Sequence, residues 1–183
     1  MPTRADDELE IMRLLARFAQ AVDDRDADAY RDCLADEVVC LVSDTASNEV
    51  WRAMPREAYA RQAVESVSAF DWTHHRLCNF VIVIDGERAH GKADVVAQMQ
   101  APPAKDGGAS PTLTVGGRYD LEFSKIATEW RITKRHMRTR YTIGDPVALA
   151  RGRTGAPSEP NEREGRSHER RQQEEHAGLV DHG

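Results

Sequence analysis

Apolar residues first recur along this chain at helical spacing. Between Asp6 and Asp24 the positions Leu9, Ile11, Met12, Leu14, Leu15, Phe18, Ala19 and Val22 fall on one side, with Arg13, Arg17 and Gln20 on the other. That is the pattern of an amphipathic helix. Asp26 stands where a side chain can cap a second, shorter helix over Ala27 to Leu34, which would bury Tyr30, Cys33 and Leu34. Val38 to Ser43 is a short β-rich run. Met54-Pro55-Arg56-Glu57 opens a third helix that continues through Tyr59, Ala63 and Val67. Proline suits a first turn whose N–H groups have no partner, and Glu57 sits near the positive end of the dipole.

After Trp72 the period changes to two, and four long antiparallel strands are predicted. Thr73 to Ile84 places His75, Leu77, Asn79, Val81 and Val83 on one face. Asp85-Gly86 signals a hairpin, and Arg88 to Gln100 returns with Ala89, Gly91, Ala93, Val95, Ala97 and Met99 on one face. A Pro- and Gly-rich loop precedes a strand near Leu113 to Ile126, and a last one runs from Trp130 to Tyr141. Helices first and strands last is an α+β order. Beyond Ala150 there is no aromatic residue and few aliphatics. Such a segment cannot bury enough apolar surface to offset its ordering entropy. The expected organisation is one domain over residues 1–147, then a disordered charged tail over 148–183.

The 183 residues suffice for one sizeable core. A net charge of −6 and a pI near 5.7 argue against a nucleic-acid binder, which needs a basic face, and favour a small, weakly charged ligand. No apolar run is long enough to span a bilayer, and the acidic start MPTRADDELEIM is unlike a signal peptide, so a cytoplasmic location is expected. Cys33, Cys40 and Cys78 stand singly among apolar residues and read as buried reduced thiols. Neither a metal nor a cofactor is called for.

Candidate chemistry concentrates at two places. Each helical residue turns about 100°, so Asp23 lines up with Met12, Ala16 and Ala19 on the apolar stripe, whereas Asp24 lines up with Arg13 and Arg17. A carboxylate on a buried stripe needs a partner or a purpose; the alternative is that it only caps the following turn. His74 and His75 face opposite sides of their strand, and His75 is the one that shares a face with Leu77. It is either an acid-base residue or a satisfied core histidine. Arg138 and Arg140 share alternation with Trp130 and Ile132, so one of them could reach a pocket mouth; the alternative is a solvated basic edge.

The segments ELEIMRLLARFAQAVDDRDADAYRDCLADEVV, VWRAMPREAYARQ, THHRLCN and GGRYDLEFSKIATEWRITKRHMRTRY together resemble the SnoaL-like branch of the nuclear transport factor 2-like superfamily. Within it they are similar to scytalone dehydratase and hexachlorocyclohexane dehydrochlorinase. The resemblance implies a cone of three helices packed into a strongly curved mixed sheet, assembled as a homodimer or homotrimer. It also implies a catalytic dyad of Asp23 and His75, with Asn79, Arg140, Trp51, Met54, Tyr59 and Tyr119 as substrate-binding residues. The expected activity is a cofactor-independent lyase or isomerase acting on a small hydrophobic molecule. A non-catalytic binding or protein-interaction module of the same fold is the alternative.

Overall fold

The computed structural model describes residues 3–43, 49–103 and 109–144. The charged segment read as a tail therefore lies outside the described residues. Helix α1 spans Arg4–Asp23 and opens with a capping box. Thr3 Oγ1 accepts from the Asp6 N–H and the Asp6 carboxylate accepts from the Thr3 N–H, satisfying two donors that a helix start leaves unpaired. The short helix α2, Ala27–Asp32, begins at Asp26, whose carboxylate accepts from the Ala29 N–H at 2.9 Å. Helix α3 spans Arg56–Val67, with Pro55 as its N-cap residue.

Six strands form one sheet: β1 Leu34–Ser43, β2 Glu49–Pro55, β3 Trp72–Asp85, β4 Arg88–Gln100, β5 Thr112–Ile126 and β6 Glu129–Ile143. Their order is β2-β1-β6-β5-β4-β3. The β1–β6 seam is parallel and every other pairing antiparallel, so the sheet is mixed. The sheet curves without closing, and β3 is an edge strand along which α1 lies. Strand β2 was not apparent from the sequence. Its seven residues are bounded by Pro55 and draw their order from pairing with β1, Leu41 opposite Trp51 and Val38 opposite Met54.

Ile11, Leu14, Leu15 and Phe18 of α1 pack on Tyr30 of α2 and on Val95, Leu121, Phe123 and Ile132 of the sheet. Leu9, expected on this stripe, is instead 44% exposed. One end of the cone is closed by Asp7, which accepts from Trp130 Nε1 at 2.9 Å and from Lys125 Nζ at 2.5 Å. These bonds hold the Asp7 carboxyl below its usual range.

Three irregularities decide which side chains face the helices. In β3, Cys78 pairs with Asp94 but Val81 with Lys92, so β3 carries one extra residue there, and Asn79 takes φ +52°. Inward positions are consequently Thr73, His75 and Leu77 before the bulge and Phe80, Ile82 and Ile84 after it. Val81 and Val83, expected inward, are 59% and 41% exposed. Strand β6 carries an extra residue at Thr133, between the Phe123–Ile132 and Glu122–Lys134 pairs, and another at Arg140, between the Gly117–Thr139 and Gly116–Tyr141 pairs. Cys78 lies exposed near the first bulge, whereas Cys33 and Cys40 are buried as expected.

Candidate active site

Asp23 is the last residue of α1, at the negative end of the helix dipole, with no basic residue in the final turn. That location disfavours a carboxylate. Three hydrogen bonds from β3 offset it. His75 Nδ1 lies 2.7 Å from Oδ1, the His75 backbone N–H donates to Oδ2 at 2.8 Å, and the Thr73 hydroxyl donates to Oδ1 at 2.8 Å. Edge-strand geometry explains the second bond, since half of the N–H groups of β3 point away from β4 and need another acceptor. The two side chains retain only 16% and 13% exposure. Burial pushes the Asp23 carboxyl up, but the bonds from the His75 ring, the His75 backbone and Thr73 outweigh it, so its pKa lies below the ordinary value. An ionised Asp23 holds the ring proton on Nδ1 and leaves Nε2 as the acceptor.

A second polar group on the same face of the sheet was not found by sequence reading. Arg135 faces inward opposite Leu121, donating from Nε to the Tyr59 hydroxyl at 2.6 Å and from Nη1 to the Tyr119 hydroxyl at 3.0 Å. Its guanidinium carbon lies 4.9 Å from the Tyr119 ring centroid. Among the described residues no carboxylate pairs with it. Burial alone would push the guanidinium down, but the surrounding tyrosine oxygens outweigh burial and its pKa lies above the ordinary arginine value. Burial also raises the Tyr59 hydroxyl, so Arg135 and Tyr59 both stay protonated near neutrality. A hydroxyl that accepts from Arg135 keeps its own proton free to donate. A cavity of about 260 Å³, lined by Cys40, Tyr59, Gln62, Ser66, Arg135 and Met137 among others, opens beside this cluster. The signal for Arg135 was its two-residue spacing from Met137 in KRHM, concealed by the extra residue at Thr133.

Other candidates divide by face. Met54 packs against the core beside Cys40, and Tyr59 and Tyr119 are buried at Arg135. Asn79 turns outward at its bulge and donates to Asp94 at 2.9 Å, and Asp94 also accepts from Arg118. Arg140 is exposed, and its charge helps hold Asp94 below the usual range on that outer face. Trp51 is 48% exposed, with Lys134 over its ring and His136 against its edge. Arg138 pairs with Asp120 on the outer face. His74 is exposed, as expected for the outward member of its pair.

Three helices packed on a curved, unclosed mixed sheet are the fold of the nuclear transport factor 2-like class. Residues 3–136 match the model of the SnoaL-like domain, and the chain belongs to that family. Among solved structures, the Kfla4162 protein from Kribbella flavida is 28% identical with a TM-score of 0.71, the match covering 81% of this chain and 99% of that one. A provisionally named scytalone dehydratase from Novosphingobium aromaticivorans is 17% identical, TM-score 0.62, covering 76% of this chain and 90% of that one. Hexachlorocyclohexane dehydrochlorinase LinA-type3 from Novosphingobium barchaimii is 16% identical, TM-score 0.62, covering 86% and 97%. At that identity the last two share the fold alone. No curated protein matches the chain.

Proposed function

We propose that the protein is a cofactor-independent lyase or isomerase of the dehydratase type, acting on a small hydrophobic molecule. His75 removes a proton through Nε2, and Asp23 orients the ring and stabilises the imidazolium that forms. Arg135, with the Tyr59 and Tyr119 hydroxyls, steadies negative charge on a carbonyl or leaving-group oxygen. The proton then returns from His75, either to the leaving group or to a different carbon. The observation that carries this reading is the fixation of Asp23 by three bonds from β3, because a binding pocket alone gains nothing from so immobilised a desolvated carboxylate. A relationship to enzymes named dehydratase and dehydrochlorinase is consistent with it.

The test begins by incubating the full chain with a metabolite extract and identifying retained small molecules by native mass spectrometry. Turnover of a retained compound is then followed in the parent and in His75→Gln and Asp23→Asn. Each single change is expected to reduce turnover by about 10² or more, with the double change little worse than the poorer single one. Undiminished turnover in either variant, or retention of a compound that is never converted, would favour the binding module instead.

A further inference from the structure

The two halves of the dyad reach the site from segments that are far apart in sequence, so something must hold those segments in register. Asp23 ends α1, and His75 lies four residues into β3. Between Asp23 and α2 the chain reverses through Arg25, which takes φ +58°. This left-handed conformation is disfavoured for a residue that carries a Cβ. The turn itself is closed by main-chain bonds, Arg25 N–H to the Val22 carbonyl at 3.2 Å and Asp26 N–H to the Ala21 carbonyl at 2.9 Å. Those bonds do not require an arginine.

The Arg25 side chain does something separate. Its Nη2 donates to the carbonyl of Phe70 and lies 3.4 Å from that of Asp71, the two residues just before β3. From the opposite side the Asp71 N–H donates to the Gln100 carbonyl at 2.7 Å, tying the same segment to the end of β4. The Phe70 side chain packs on both apolar clusters of the domain. The entry to β3 is thus held from the sheet side by Gln100 and from the helix side by Arg25.

Resting on the acid-base reading above, we propose that Arg25 is a positioning residue that clamps the end of α1 to the start of β3 and so fixes the Asp23–His75 bond length. It touches neither the dyad nor the cavity. Its partners are carbonyls, which no side-chain substitution at positions 70 or 71 removes, so the clamp is tested at Arg25 itself. Hydrogen-bond lengths in a general-base pair matter steeply, because an error of about 1 Å in placement can cost about 10² in rate.

The experiment is hydrogen exchange by NMR on the full chain, without substrate. It reads the His75 backbone N–H and ring Nδ1–H, both bonded to Asp23, against amides of the central strands β4 and β5. Arg25→Gly is the first variant, since glycine adopts the left-handed turn without strain and only the clamp is lost. Exchange at both His75 protons is expected to speed up by about tenfold or more while the central amides keep their rates. Arg25→Lys, which retains one charged donor group, is expected to fall between the two. Parent-like exchange at His75 in Arg25→Gly overturns the proposal. Should that variant not fold, Arg25→Asn, which also tolerates the turn, is read in the same way. If neither folds, Arg25 is a determinant of the fold and the positioning proposal is overturned. The acid-base reading fails by a different route, through full turnover in His75→Gln, which leaves the exchange result standing.

Discussion

Leu121 and Arg135 stand directly opposite each other across the β5–β6 ladder, an aliphatic side chain and a guanidinium sharing the inner face of the sheet. Simple alternation from Trp130 and Ile132 would place Lys134 there. The extra residue at Thr133 exchanges the two.

Arg135 is bonded to two tyrosine hydroxyls, and methionine would keep its apolar stem while removing the charge and both bonds. Replacing Arg135 by Met is therefore expected to lower Tm by a few degrees at most, while turnover of the eventual substrate falls by about 10². Calorimetry beside a rate assay checks this. A large drop in Tm would make Arg135 a structural tie between Tyr59 and Tyr119.

Acid sensitivity follows from Asp23 and Asp7, both lowered from the ordinary carboxylate value. A carboxyl whose folded pKa is depressed contributes stability that is complete above its unfolded value, about 3.9, and lost as the pH falls through the lower folded value. Denaturation midpoints should stay level above about pH 5 on this account and decline below about pH 4. In Asp23→Asn the decline should be shallower. A parent-like slope in that variant would remove Asp23 from the explanation.

Ala127 occupies the two-residue turn between β5 and β6 with φ +57° and is exposed. This conformation suits Gly or Asn. Ala127→Gly should stabilise the fold by about 0.5–1 kcal/mol, visible as an increase of about 1–4 °C in Tm. A decrease would show that the turn tolerates alanine without strain.

Self-association through the outer face of the sheet is a further expectation, since Trp51, Val81 and Val83 are exposed there around a cleft of about 360 Å³. Light scattering at micromolar concentration should report a dimer or trimer, and Val81→Lys should shift it towards monomer. A monomeric parent would exclude this.

Most of the architecture was legible because its signals are long and local. The helical stripe of α1 apart from Leu9, the cap at Asp26, the proline at α3 and the Asp85-Gly86 hairpin appear where the pattern set them. The Asp23–His75 pairing was legible too, since both residues precede any irregularity in their elements. What could not be read were positions beyond a bulge. Asn79 and Arg140 sit at the bulges themselves, and Val81, Val83 and Arg135 lie past one, so counting by twos assigned each to the wrong face. Trp51 was misplaced for another reason, namely that β2 is short and depends on a partner strand for its order.

The bulge at Thr133 also bears on how such a pocket can diversify. Deleting that one residue would leave Lys134 opposite Glu122 and Arg135 inside opposite Leu121, whereas pairing Thr133 regularly with Glu122 would turn Arg135 outward and bring Lys134 into the interior. Where a strand places its irregularity is thus part of pocket chemistry, and moving an irregularity exchanges one internal cation for another with every residue type kept.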